Sequence, residues 1–173
     1  VVLDQLNNYL EKEGLHCQVQ SGYRPNHSCE TLMVRMTDDI FKEIQSDNIV
    51  ILVLLDLSAA FDTIDHDILI EKLLKDFGIS GQALRWFKSY LDHRSFCVKI
   101  DKTLSDFLCL LFGVPQWSLL GPVLFILYIK FLQAIAAKYG LSIQLYADDS
   151  QLYISFHPCR ASEVQDVTDR VNR

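Results

Sequence analysis

Apolar residues recur along this chain with two different spacings, and the switches between them divide it into elements. Leu3, Leu6, Tyr9 and Leu10 keep a helical rhythm over residues 1–12, which Gly14 closes. QSGYRPNHS (20–28) is a loop by composition, with Gly22 and Pro25 as breakers. CETLMVRMTDDIFKEIQS reads as an amphipathic helix, with Leu32, Val34, Met36, Ile40, Phe41 and Ile44 on one broad apolar face. NIVILVLLDL is a β-branched and leucine run, which predicts a central strand buried on both faces and ending at Asp56.

DHDILIEKLLKDFG and SGQALRWFKSYLD predict two helices, with Asp65 or Asp67 and Ser80 as N-caps and Gly78 as a stop. RSFCVKIDKTLSDFLCLLFGVPQ predicts two strands joined by a short polar turn. GPVLFILYIKFLQAIAAKYG predicts one long helix opened by Pro122. LSIQLY and QLYISF pair around the double aspartate of YADD.

Residues 107–129 carry no charge over 23 positions, a length that raises the question of a membrane span. Gly113, Pro115, Gln116, Ser118, Gly121 and Pro122 break that run into short segments, so no span and no membrane partner is expected. Half of the 173 residues are hydrophobic and 22% are charged, which excludes a disordered chain and fits one domain or a piece of a larger one. A net charge of −6 weighs against a dedicated nucleic-acid binder, although a local basic strip can neutralise phosphates. Arg85, Lys88, Arg94, Lys99 and Lys102, interleaved with aromatics, form such a strip, which could follow a nucleic-acid backbone; a solvated helix face with a strand behind it explains it almost as well. The five scattered cysteines form no C-x-x-C pair, which fits a reduced intracellular protein, cytoplasmic or nuclear. His27 with Cys29, or His157 with Cys159, lack the paired spacing of a zinc site. The chain begins at Val1 without Met and stops in a polar, helix-like stretch, so it reads as an excerpt.

Three acids carry the candidate chemistry: Asp56 at the end of the apolar run, and Asp148 and Asp149 in the late turn. If the hairpin packs beside the strand ending at Asp56, the three carboxylates meet at one sheet edge. Like charges about 4 Å apart repel by roughly 4 kcal/mol at an effective dielectric near 20. A cluster of that kind needs a cation or a proton, and hard divalent ions suit oxygen ligands. Paired magnesium ions can stabilise the attacking and leaving oxygens of a phosphoryl displacement. Alternatively, Asp148 and Asp149 are turn formers, as aspartate often is. A calcium loop built on Asp62, Asp65 and Asp67 lacks the required glycine and terminal glutamate, and helix capping explains those acids better.

Four ordered segments resemble the reverse transcriptases of non-LTR (LINE-type) retrotransposons. They are QSGYRPNHS (20–28), LLDLSAAFDTIDH (54–66), GVPQWSLLGPVLFILYI (113–129) and YADD (146–149), together running through about three quarters of the chain. The resemblance implies an α+β fold, the fingers and palm of a right-hand polymerase, with a mainly antiparallel palm sheet backed by helices. Residues 1–50 would be fingers-like and 51–173 mostly palm with inserted helices. A thumb and an endonuclease would belong to a longer polyprotein and are absent from these residues. The implied activity is RNA-directed DNA polymerisation, adding deoxynucleotides to a primer 3′-hydroxyl with two Mg2+ ions. RNA template, DNA primer and deoxynucleoside triphosphates are the implied partners.

Carried over by position, the resemblance makes Asp56 and Asp148 the principal metal ligands, with Asp149 beside them. Leu57 would offer its backbone, and Phe61 would block a ribose 2′-hydroxyl, although it also reads as a core aromatic. Arg24 would approach nucleotide phosphates, although it also reads as a surface loop arginine. Gln116 would lie near the incoming nucleotide and template. The chain departs from the family at Trp117, where glycine is usual, and at Lys130 and Phe131, where Asn and Asp are common. Trp117 and the missing thumb imply impaired polymerisation. The alternative is a non-catalytic nucleic-acid-binding remnant that holds a duplex without chemistry.

Overall fold

Stretches with a 3.6-residue apolar stripe form the helices of this chain, and two of them begin at a side-chain cap, α2 (Cys29–Gln45) and α3 (His66–Lys75). A computed structural model describes residues 1–115 and 117–159. In chain order it comprises α1 (Val2–Lys12), α2 (Cys29–Gln45), β1 (Ile49–Leu55), α3 (His66–Lys75) and α4 (Gly81–Leu91). Four short strands follow: β2 (Ser95–Phe96), β3 (Lys99–Ile100), β4 (Thr103–Leu104) and β5 (Leu108–Cys109). Then come α5 (Gly121–Tyr128), a 3-10 turn (Ile129–Phe131), α6 (Leu132–Lys138), β6 (Ser142–Tyr146) and β7 (Asp149–Phe156). The chain divides into two compact units, each assembled from separate stretches: residues 1–15 with 59–128, and residues 16–58 with 129–173.

In the first unit the buried faces of α1 (Leu6, Leu10), α3 (Leu69, Leu73) and α4 (Phe87, Leu91) supply core side chains together with α5. α5 buries Val123, Leu124, Phe125, Ile126 and Leu127, so it is apolar on every side because it is a core helix. The helical run Gly121–Lys138 is long and apolar enough to cross a bilayer by length and composition. The expected single helix is in fact two, divided by the 3-10 turn. Asp65 caps α3 as expected, its side chain accepting from the Ile68 N–H at 2.9 Å, whereas Ser80 precedes α4 without a side-chain cap bond.

A strap fixes the loop after β5. The Gly113 N–H donates to Ile64 O at 2.7 Å and the Val114 N–H to Phe61 O at 2.9 Å. Gly113 sits at φ 85°, and a Cβ there would lie 2.9 Å from Asp62 Cα, so only glycine fits the approach. His66 Nε2 completes the strap with a 2.6 Å contact to Gly113 O. The two strands expected over 94–116 are instead four two-residue strands, pairing β2 with β5 and β3 with β4. Nearly every residue in them is exposed, so little packing extends the ladders.

The second unit holds an antiparallel sheet of order β1-β7-β6, with α2 packed on β1 and β6, and α6 on β6. Ser28 and Thr31 form a capping box that starts α2. Of the six apolar residues expected on the inner face of α2, only Leu32 and Met36 are buried; Val34, Phe41 and Ile44 are exposed. The core comes from Leu32, Met36, Ile129, Leu141, Ile143, Leu145, Tyr153 and Ile154. Tyr153 donates its hydroxyl to Asp39 Oδ2 at 2.6 Å, tying β7 to α2.

The expected position of β1 needs correcting. Among the described residues it is an edge strand, paired only with β7, and none of its residues is buried; Leu54 is 70% exposed. An unbroken apolar run signals a strand, and it does not say how many neighbours that strand has.

Candidate active site

The hairpin of β6 and β7 is closed by Ala147 and Asp148, since Tyr146 pairs with Asp149. Ala147 has φ 55°, the left-handed value that a type II′ turn demands at its first central position, where glycine is usual. β1 runs antiparallel to β7 with Leu55 opposite Ser150. The ladder ends at that pair, so Asp56, the residue after β1, and Asp149, the first residue of β7, each lie one position beyond it. Asp56 and Asp149 are exposed, while Asp148 occupies the turn and is half-buried.

Among the described residues no three His, Cys, Asp or Glu side chains are gathered into a group that could hold a metal ion. The expected three-carboxylate cluster is therefore not gathered among the described residues. The donor set still fits magnesium. This ion takes oxygen ligands in octahedral geometry and is held by one or two carboxylates plus waters and substrate phosphates. Asp56, Asp148 and Asp149 are oxygen donors of the type that ion takes, near the end of the β1–β7 ladder.

A loop that pattern reading could place but not explain grips this turn. Residues 19–21 run parallel to β6: the Leu145 N–H donates to Val19 O and the Ser21 N–H to Leu145 O, each at 2.8 Å. Gln20 is buried, at 1% exposure, and its amide faces the turn backbone. Its Oε1 accepts from the Ala147 N–H at 3.0 Å and the Gly22 N–H at 2.7 Å, and its Nε2 donates to Ala147 O at 3.1 Å. Gly22 lies so close that a Cβ would come within 2.2 Å of Ala147 N. The one signal in the sequence was the breaker Gly22; a loop glutamine carries no pattern.

Tyr23 follows at φ 55°, and its phenol is raised above the ordinary value by burial first, then by the charges of Asp148 and Tyr146. Arg24 is half-buried and directs Nη1 to the carbonyls of Cys17, at 2.7 Å, and Gln20, at 3.0 Å. In this arrangement it braces the same loop. Leu57 is half-buried just past Asp56.

Phe61 belongs to the first unit and stacks on Phe125 with ring centroids 4.8 Å apart, so it has the core contact that one of its two readings predicted. Gln116 lies outside the described residues. Trp117 takes φ 62°, a backbone conformation suited to glycine, and its side chain is fully exposed. Within the basic strip, Lys88 and Arg94 line a cavity of about 550 Å³ shared with Asp65, Asp67 and Asp92, so its charge is mixed. Trp86 and Tyr90 stack at 5.4 Å, with the Arg94 guanidinium 4.6 Å over the Tyr90 ring.

A helix-backed antiparallel sheet with acids at one end defines a class, the palm and fingers of a right-hand polymerase, and solved structures agree. Apo telomerase from Candida Tropicalis, truncated from its C-terminal domain, matches with a TM-score of 0.68 over 99% of this chain and 36% of that one, at 14% identity. A second apo telomerase structure from Candida Tropicalis matches with a TM-score of 0.69 over 99% of this chain and 33% of that one, at 13% identity. At these identities the likeness is one of fold. Residues 1–172 match the family described as reverse transcriptase (RNA-dependent DNA polymerase), and the chain belongs to that family.

The relatives are polymerases of mobile elements, in keeping with the resemblance to non-LTR retrotransposon enzymes. The probable RNA-directed DNA polymerase from transposon BS of Drosophila melanogaster is 29% identical over 92% of this chain. The corresponding protein from transposon X-element is 31% identical over 81%, and that from mobile element jockey 30% over 61%. The chain spans 18%, 15% and 11% of these relatives' lengths.

Proposed function

We propose that this chain is a palm and fingers portion of an RNA-directed DNA polymerase, in which Asp56, Asp148 and Asp149 hold Mg2+ at the end of the sheet. The observation that supports this most is the register Leu55 opposite Ser150, the residues that adjoin Asp56 and Asp149 in the chain. When bound, Mg2+ lowers the pKa of a primer 3′-hydroxyl and neutralises the triphosphate and departing pyrophosphate. The chain's own contribution is placement: Asp56 directly after β1, and Asp148 and Asp149 at the β6–β7 turn, would keep oxygens in position before substrate arrives. Such a polymerase works within the cell on an RNA template and DNA primer with deoxynucleoside triphosphates. Arg24, Leu57, Phe61 and Gln116 are proposed nucleotide contacts on the strength of the resemblance.

Primer extension on an RNA template tests the reading. Asp56→Asn and Asp148→Asn should each reduce extension by at least about 100-fold, in the range of losing one charge-stabilising group. Retained binding of the RNA–DNA duplex shows that the loss is chemical. Undiminished extension by both variants would sink the proposal. The exposed Trp117 at a position usual for glycine supports a second reading, a binding remnant. Wild-type chain that holds duplex with steep salt dependence, retains this in Asp56→Ala, and never extends a primer would favour it.

A further inference from the structure

We infer that Gln20 and Gly22 are positioning residues for the acidic turn, an inference that rests on the metal-binding reading above. Ala147 holds a left-handed backbone conformation that costs a residue with a Cβ about 1–2 kcal/mol. Local preference alone does not keep the turn there, so other contacts must. The Gln20 amide supplies them, holding both the N–H and the carbonyl of Ala147 through one rigid side-chain plane. Its Oε1 also accepts from Gly22, which fixes the amide in the loop that carries it. A rotation of the peptides on either side of Ala147 breaks at least one of its two bonds to this amide. Gly22 is required by contact, because any Cβ there would overlap the backbone of Ala147.

Burial makes the restraint strong. Gln20, Ser21 and Ala147 are all nearly solvent-free, so water cannot replace a broken bond at Ala147 cheaply. Asp148 and Asp149 follow Ala147 directly, and a change in its φ and ψ would swing both relative to Asp56. Gln20 touches neither acid in the described contacts and acts through the backbone, much as outer-shell groups orient metal ligands.

The test uses the 173-residue chain, with Mn2+ as the probe. Gln20→Met keeps the side chain's length and removes its hydrogen bonds. In the wild type the Ala147 N–H should be strongly protected from hydrogen exchange, and Gln20→Met should release it. Gln20→Met should also weaken Mn2+ binding, measured by electron paramagnetic resonance, by about 10–100-fold at temperatures where circular dichroism shows it folded. An unprotected Ala147 N–H in the wild type overturns the inference without any variant. So does an unchanged Mn2+ affinity in folded Gln20→Met. Asp148→Asn separates the two levels. If it lowers Mn2+ affinity and Gln20→Met does not, the inference fails alone; if it has no effect, the metal reading fails and takes the inference with it.

Discussion

Replacing Trp117 with glycine should stabilise this protein, although tryptophan is among the largest apolar side chains. Its indole is fully exposed, so removing it returns no buried surface to water. The backbone at φ 62° carries a penalty of about 1–2 kcal/mol for a residue with a Cβ. Against this stands the greater freedom of glycine in the unfolded chain, worth about 0.5–1 kcal/mol. The centres of these two ranges leave a gain of about 0.75 kcal/mol, or about 1.5–3 °C in the melting midpoint for a chain of this size. Thermal unfolding followed by circular dichroism measures it. Trp117→Ala is the control, because it removes the indole but keeps the left-handed penalty, so its midpoint should stay near the wild type. A midpoint for Trp117→Gly below that of the wild type, or equal to that of Trp117→Ala, would refute the reasoning.

Other consequences are equally open to measurement. Phe61→Ala removes the ring stacked on Phe125 and should cost about 3 kcal/mol or slightly less, since Phe61 is only half-buried; denaturant melts will show it. Leu54→Lys, on the exposed edge strand, should leave the midpoint within about 0.5 kcal/mol of the wild type and reduce self-association on gel filtration. Glu43 is held below its usual 4.5 by hydrogen bonds from Ser155, then from Asn48. Its contribution is therefore present above pH 4.5 and lost as pH falls through the lower folded value. Glu43→Gln should flatten the acid limb of a stability-against-pH curve; an unchanged limb would contradict the assignment.

The hairpin of β6 and β7 was legible because alternating apolar residues flank a short polar turn, a local signal. β1 was legible as a strand but not as an edge, because its leucines record a preference for extended backbone and say nothing of how many strands pair with it. The 3-10 break at Ile129–Phe131 was invisible, since no glycine or proline marks it. At the site, Asp56, Asp148 and Asp149 stood out as charges ending or joining apolar runs. Gln20 did not, because its role depends on residues 127 positions away. Arg24 was singled out by the resemblance, and its described bonds run to carbonyls of its own loop.

In the proposed site one divalent ion touches both Asp56 and the turn at 148–149. Titrating Mn2+ into isotope-labelled chain and recording amide spectra tests this directly. The amides of residues 56–57 and 147–149 should broaden together, at one stoichiometry. Broadening at one segment without the other, or at neither, would contradict the shared site.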